Sequence, residues 1–194
     1  MVHLVFLDAN ILRSCCLMDW LFHLHNATHG MFSLQTSQDV LNEVWYTTRR
    51  DYPKESDEII KKRIGLIHKL INEILEDSFD SKLESFTGTD QNDYHVHATA
   101  IKAGSNYILT NDNPANIIQT PDEQPYSIIN ADDFFCFVKQ SHQPSFQLAV
   151  QQQYDYWVTK KRTNTIDICT KLKQAGCPKF ASFVLLHLGG ERNI

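Results

Sequence analysis

The sequence contains no run of about twenty apolar residues, so no part of it is predicted to span a membrane. The amino terminus also lacks the basic and apolar segments of a secretion signal. Charge is nearly balanced, with 23 acidic against 18 basic residues and a net charge of −5. This composition argues against a protein that coats nucleic acid through bulk positive charge, and the expected location is the cytoplasm.

Cysteine is scarce, and its spacing is not that of a metal or disulfide scaffold. The five cysteines are an odd number and form no Cys-x-x-Cys pair, which argues against a disulfide framework and a structural zinc site. Two of the nine histidines, His95 and His97, stand two residues apart in a predicted helix. Such a pair points to different faces and is a poor chelate. We expect the cysteines to be reduced packing residues: Cys15, Cys16, Cys136, Cys169 and Cys177.

The order of apolar patterns predicts an α/β protein. The chain has 194 residues, of which 42% are hydrophobic and 21% charged, as in a soluble globular protein. Short apolar runs alternate with segments of helical spacing, which implies a mainly parallel sheet with helices on both faces, a three-layer α/β/α fold. The predicted strands are 2–7, 31–34, 107–109 and 126–129, and the predicted helices are 10–29, 37–50, 56–76, 90–104 and one beginning near 132.

The last quarter of the chain is predicted to be entirely helical. Residues 141–145, Ser-His-Gln-Pro-Ser, resemble a hinge. Three helices are expected beyond it, over residues 146–159, 165–175 and about 180–188. We therefore expect one α/β domain over residues 1–140 and a helical carboxy-terminal extension over residues 141–194.

Two acidic residues follow predicted strands directly. Asp8 comes after the apolar run 2–7, and Asp112 follows the strand 107–109 with Thr110 and Asn111 between. The carboxyl ends of strands are where open α/β sheets bind ligands. Both carboxylates are therefore expected at the same rim of the sheet, where Asn10 is also placed and can cap the helix after the first strand.

Two more acids lie in predicted helices. Asp93 follows Asp90, a predicted N-cap, and shares a helical stripe with Val96 and His97 that should face the core. A carboxylate pointing inward is costly unless it is paired or bound to metal. Glu43 falls on the edge of the apolar face of a helix capped by Ser37, from where it can reach into a cleft.

Together the four acids, Asp8, Glu43, Asp93 and Asp112, form a set of hard oxygen ligands suited to Mg²⁺ or Mn²⁺. Such ions serve phosphodiester hydrolysis. Asn10 and Thr110 would position the carboxylates. Each acid also has an ordinary alternative. Asp8 and Asp112 are acceptable turn residues, Asp93 could form a capping box with Asp90, and Glu43 could be a solvated helix edge.

The order and context of these acids resemble the PIN-domain ribonucleases over residues 1–140, and most closely the VapC-type toxins. The resemblance rests on Asp8-Ala9-Asn10, Glu43, Asp93 with the helix after it, and Thr110-Asn111-Asp112. It implies catalytic and metal-binding roles for the four acids, with Asn10 and Thr110 supporting them. Some longer members place an acid where Ala115 stands, and Asp112 is taken as the fourth acid because it matches the commoner Thr-Asn-Asp form.

The resemblance further implies an Mg²⁺- or Mn²⁺-dependent endoribonuclease that acts on structured RNA such as tRNA. Such toxins are held inactive by a small cognate antitoxin and are commonly dimeric. Residues 171–181 resemble the helical extension of a longer VapC-like subgroup. Two alternatives remain open: a PIN-like module that binds RNA or protein without cutting, and a phosphoacceptor α/β domain. The second would favour Asp at position 10, where Asn10 stands.

Overall fold

A five-stranded, wholly parallel sheet forms the centre of the α/β part of the chain. The computed structural model describes residues 2–76, 85–161 and 165–190. In these residues the sheet has the order β3-β2-β1-β4-β5, and all four neighbouring pairs are parallel. Its strands are β1 His3–Leu7, β2 Phe32–Ser37, β3 Glu73–Leu75, β4 Tyr107–Leu109 and β5 Ser127–Ile129.

Helices flank this sheet, which confirms the predicted α/β architecture and its helical carboxy-terminal region. The described helices are α1 Ala9–Arg13, α2 Cys15–Ala27, α3 Gln38–Asp51, α4 Asp57–Leu70, α5 Tyr94–Lys102, α6 Pro114–Ile117, α7 Ala131–Ser141, α8 Gln143–Lys161, α9 Thr165–Gln174 and α10 Pro178–Gly190. Within the described ranges, none of them has the length and apolar character needed to cross a membrane.

The chain divides into two compact units. The first comprises residues 1–13 and 32–129, and the second comprises residues 14–31 and 130–194. The first unit contains the sheet and all four candidate acids. The second contains α2 and α7 to α10, so α2 and α7 group with the carboxy-terminal helices. The division at residue 140 stays a prediction.

The central strand is buried because it is covered by helices and has a neighbour on each side. Val5, Phe6 and Leu7 of β1 are fully buried, as expected for an apolar run in a parallel sheet. β1 pairs with β2 on one side and with β4 on the other. The carboxyl ends of β1 and β4 therefore lie next to each other, which brings the residues that follow them to one place.

In the second unit, the core is aromatic. Phe180 packs against Trp20 and Phe135, with ring centroids 5.1 Å apart in each case, and against Phe146 at 5.7 Å. Edge-on and tilted aromatic pairs of this kind stabilise the core beyond the burial of apolar area. Three of the cysteines, Cys136, Cys169 and Cys177, are buried and free, as predicted for packing residues. Cys16 is half-buried, and Cys15 is exposed, so the prediction of a packing role was wrong for Cys15.

The first predicted helix differs from the one that the structure contains. The expected helix 10–29 is two helices, because the chain breaks at Ser14, whose side chain accepts a hydrogen bond from the backbone N–H of Leu17 at 3.3 Å. α1 begins at Ala9, so Asn10 lies inside it and is not its cap. The predicted cap Ser37 is confirmed, because its side chain accepts from Val40 N at 3.2 Å. Asp90 accepts from Asn92 N at 2.9 Å and caps the short 3₁₀ turn Gln91–Asp93, after which α5 begins.

The predicted helix 56–76 was too long. α4 ends at Leu70, and Glu73–Leu75 is β3, paired with β2. Asn72 directs the change, since its N–H donates to the carbonyl oxygen of Leu34 at 2.9 Å and its side chain accepts from Leu34 N at 2.8 Å. The isoleucine spacing suits a helix, but the free edge of β2 captures the segment as a strand.

The hinge expected over residues 141–145 is only one residue, His142, between α7 and α8. The cap predicted near Asp132 was also misplaced, because Asn130 caps α7 by accepting from Asp133 N at 2.8 Å. Asp132 instead accepts the backbone N–H groups of Lys179 and Phe180, at 3.0 and 2.8 Å. It therefore caps the start of α10 from a distant part of the chain.

Candidate active site

Asp8 lies at the junction of β1 and α1, at the carboxyl end of the central strand. Its backbone N–H donates to the carbonyl oxygen of Leu109 at 3.2 Å, which continues the pairing of β1 with β4 by one residue. Its own carbonyl oxygen accepts from Ile11 and Leu12 and so begins the helix. Asp8 is only 5% exposed. Sheet and helix thus hold a buried carboxylate at the rim where it was predicted.

Three hydrogen bonds satisfy the Asp8 carboxylate. One oxygen accepts the backbone N–H of Ala9 at 2.6 Å. The other accepts the side-chain amide of Asn10 at 2.8 Å and the hydroxyl of Thr110 at 2.7 Å. The two residues expected to support the acids therefore contact the most buried acid directly, which is the contact that their predicted role requires.

Asn10 joins Asp8, two residues before it in the chain, to Asp112, which lies 102 residues after it. Its Nδ2 donates to Asp8 and, at 2.9 Å, to Asp112. Its Oδ1 accepts the backbone N–H of Asn111 at 3.0 Å, which establishes which end of the amide is the donor. Asp112 is exposed, but it shares a single nitrogen donor with buried Asp8. The two carboxylates therefore lie side by side.

Thr110 holds the loop that carries Asp112. Its backbone N–H donates to Ile129 at 3.1 Å, and its hydroxyl accepts the backbone N–H of Asp112 at 3.1 Å while donating to Asp8. The backbone of Asp112 is thus fixed by a residue that also contacts Asp8. Asp112 is therefore part of a network and more than a turn former.

Asp93 and Glu43 come to the site from two helices. Asp93 is half-buried and directly precedes α5, whose Val96, His97 and Ala100 are fully buried as the stripe predicted. The capping box with Asp90 does not form, since the backbone N–H of Asp90 donates to the carbonyl oxygen of Asn116. Glu43 lies on the exposed edge of α3.

The electrostatics connect the four acids. Burial, followed by the charges of Asp8, Asp90, Asp112 and Glu43, raises the pKa of Asp93 to about 7. Burial also raises the pKa of Asp8, with Asp112 adding to it, although hydrogen bonds from Thr110 and Ala9 oppose the rise. Partial desolvation and the charge of Asp8 raise the pKa of Glu43.

These mutual effects show that the four carboxylates share one region of negative potential. A raised pKa on several neighbouring acids means that bringing their negative charges together destabilises the folded protein. Clusters of this kind are typical of sites that bind a cation or catalyse a reaction.

The donor set fits a hard divalent ion in its chemistry, because all four groups are carboxylates. The described residues nevertheless do not bring three side chains of His, Cys, Asp or Glu within coordinating distance of one point. Two of the carboxylate oxygens are hydrogen-bonded to Asn10 instead. Coordination would therefore require Asp112 or Glu43, the two exposed acids, to turn about their side-chain bonds.

Two basic groups near the acids escaped the sequence-based prediction. Arg13, at the end of α1, lowers the pKa of Glu43 and is ion-paired with Asp51. His95, in the first turn of α5, lowers the pKa of both Asp8 and Glu43. The signal for His95 was its place two residues after Asp93, but its pairing with His97 drew attention only to zinc chelation.

The acidic residues lie at the carboxyl edge of a parallel α/β sheet, which is the edge where such sheets bind their ligands. The profile of the PIN-domain family matches residues 4–114, which is more than half of the chain. The protein belongs to the PIN-domain family. PIN domains are generally nucleases that use divalent metal ions. Neither the curated proteins nor the solved structures include a significant match.

The matched range includes every candidate site residue. Asp8, Asn10, Glu43, Asp93, Thr110 and Asp112 all lie between residues 4 and 114. Helices α7 to α10 lie beyond the match. The family assignment therefore applies to the part of the chain that carries the acids.

Proposed function

We propose that this protein is a metal-dependent endoribonuclease whose catalytic and metal-binding residues are Asp8, Glu43, Asp93 and Asp112. One observation carries the proposal: acids from four separate segments meet at a buried Asp8, and burial together with the neighbouring acidic charges raises the pKa of Asp8, Glu43 and Asp93. This arrangement destabilises the folded protein, and a bound cation would offset the repulsion between the carboxylates. The proposed ion is Mg²⁺ or Mn²⁺, because the donors are carboxylate oxygens.

In this proposal the role of each acid follows from its exposure to solvent. Buried Asp8 is the fixed ligand, and Asp93 is held near it by the start of α5. The exposed acids Asp112 and Glu43 face the substrate side, where they bind the ion or orient the attacking water. When bound, a divalent ion activates water and stabilises charge on the phosphate. Asn10 and Thr110 hold Asp8 and Asp112 in register by hydrogen bonds.

The first test measures RNA cleavage by the purified full chain. We expect the wild type to cleave RNA with Mg²⁺ or Mn²⁺ and not in excess chelator. Asp8→Asn should not cleave RNA, and its circular dichroism spectrum should match that of the wild type, which shows that the variant is folded. Asp122→Asn, an exposed acid in the same unit, is the matched control and should retain activity. Undiminished cleavage by Asp8→Asn, or in chelator, would refute the metal-dependent mechanism.

We further propose that the protein is the toxin of a toxin–antitoxin pair and cleaves structured RNA such as tRNA. The support is the resemblance of the acidic motifs and of residues 171–181 to the longer VapC-type toxins. Its partners would then be RNA, a small cognate antitoxin and a second copy of the chain. Expression of the wild type should slow bacterial growth, and Asp93→Asn should relieve the effect. Harmless expression in several hosts would contradict the toxin role but not the nuclease activity.

The second candidate is a PIN-like module that binds RNA or protein without cutting. It is favoured by one observation, that Asn10 already satisfies the facing oxygens of Asp8 and Asp112. A silent module should bind RNA equally well with and without divalent ions and leave it intact. Binding and cleavage measured on the same labelled RNA separate the two functions.

A further inference from the structure

The inference concerns His95, a residue of α5 that lies among the acids. Its ring nitrogen Nδ1 is 2.7 Å from the carbonyl oxygen of Asn92. A carbonyl oxygen only accepts hydrogen bonds, so Nδ1 must carry the hydrogen. In the neutral ring, Nε2 is then left with a lone pair.

That second nitrogen is buried and has no hydrogen-bond partner among the described residues. Buried polar atoms almost always have a partner, and an exception calls for an explanation such as an ion that completes the site. An imidazole held by a hydrogen bond from Nδ1 to a backbone carbonyl, with Nε2 free, has the arrangement of a metal-ligating histidine.

The location agrees with this reading. The His95 ring is near enough to lower the pKa of Asp8, at the end of β1, and of Glu43, in α3. His95 therefore lies close to two of the acids, although it comes from a third element. The nearby His97 differs, because both of its ring nitrogens have partners: one is hydrogen-bonded to buried Tyr126 and the other to Ser85.

We propose that Nε2 of His95 is a nitrogen ligand for the ion held by Asp8 and Glu43, and that it makes this site favour Mn²⁺ over Mg²⁺. The proposal rests on the proposed metal-dependent function. Imidazole nitrogen suits transition metals, whereas Mg²⁺ prefers oxygen ligands. Because the described side chains do not yet converge on one point, Glu43 would turn toward the ion on binding.

The test uses the full chain freed of metal and loaded with Mn²⁺. Pulsed electron paramagnetic resonance should show coupling of Mn²⁺ to a nitrogen nucleus, and labelling histidine rings with ¹⁵N should change that coupling accordingly. His95→Ala should abolish it and weaken Mn²⁺ binding roughly ten- to a hundredfold, as loss of a metal-site partner does. Mg²⁺ affinity, measured by competition, should fall much less. His68→Ala, on the exposed surface of α4, is the control.

The outcomes separate this inference from the proposed function. If Mn²⁺ binds to the wild type and not to Asp8→Asn, but shows no coupling to a histidine nitrogen, the role of His95 is overturned and the proposed metal site is not. Coupling that persists in His95→Ala would overturn it too, because another histidine would be the ligand. Binding of Mg²⁺ without Mn²⁺ would overturn the inference about His95 alone, and binding of neither ion would overturn both proposals. Should His95→Ala fail to fold, His95→Phe replaces it, and the ¹⁵N experiment on the wild type decides independently of any variant.

Discussion

Asp93→Asn should stabilise the metal-free protein at neutral pH, although it removes a residue from the proposed active site. The pKa of the Asp93 carboxyl is raised from 3.8 to about 7 by burial and by neighbouring acids. Above that pH the folded protein holds a half-buried negative charge at Asp93, which lowers its stability. Asparagine keeps the shape of the side chain without the charge, and so removes this cost.

The magnitude follows from linkage between protonation and folding. Each pKa unit corresponds to about 1.4 kcal/mol, so a shift of this size would be worth about 4 kcal/mol if fully expressed. Asp93 is only half-buried, and solvent screening reduces the effect. We therefore expect a gain of about 1–2 kcal/mol in the free energy of unfolding, equivalent to a rise in Tm of roughly 3–6 °C for a chain of this length.

The pH dependence gives the prediction its sign. Below about pH 4 the carboxyl is protonated in both folded and unfolded states, so Asp93→Asn should change little. As the pH rises, the unfolded state ionises first, and the wild type loses stability until the folded carboxyl also ionises near pH 7. The advantage of the variant should therefore grow between about pH 4 and pH 7 and then level off.

Urea unfolding in excess chelator at several pH values measures this, with Asp122→Asn as the exposed control. Saturating Mn²⁺ should cancel the advantage, because the ion stabilises the wild type more than the variant. The reasoning is refuted if Asp93→Asn is no more stable than the wild type at about pH 8, or if its advantage is the same at acidic and neutral pH.

Three further predictions concern stability and are measured by thermal unfolding. Asp132→Ala should lower the free energy of unfolding by about 1–2 kcal/mol because it removes the cap of α10. Asp133→Ala, which loses an exposed ion pair with Lys179 and an exposed hydrogen bond from Asn130, should lower it by less than about 1 kcal/mol. Gly88→Ala should lower the free energy of unfolding by about 2 kcal/mol or more, since a Cβ there would lie 2.1 Å from a carbonyl oxygen of α6. Gly65→Ala, where a Cβ would meet open space within α4, should raise the free energy of unfolding by about 0.5–1 kcal/mol. Asn10→Ala should cost about 1–2 kcal/mol at about pH 8 in chelator, because it leaves two carboxylates facing each other without their shared donor; a cost equal at acidic pH would contradict this.

Local patterns were sufficient where one pattern had one physical meaning. The apolar run of β1 is buried by helices and flanked by strands, and a polar residue directly after such a run can only lie at the edge of the sheet. The caps Ser37 and Asp90 were predictable for the same reason, because their side chains bond backbone N–H groups two or three residues away.

Local patterns failed where two structures satisfied the same residues. The isoleucines after Ser56 suit both a helix and a strand, and pairing of Glu73–Leu75 with β2 decided the outcome. Asp132 looks like the cap of its own helix, but it caps α10, more than forty residues along the chain. Such choices depend on neighbours that no short window of sequence contains.

By itself, the sequence determined the class of fold, the rim at which Asp8 and Asp112 lie, and the chemistry of their carboxylates, because strand ends and side-chain types are local properties. Only the tertiary structure decided that Asn10 joins Asp8 to Asp112, 102 residues beyond Asn10, and that one nitrogen of His95 stays buried without a partner among the described residues. These features arise from contacts between distant segments, and their energies depend on burial, which exists only once the chain has folded.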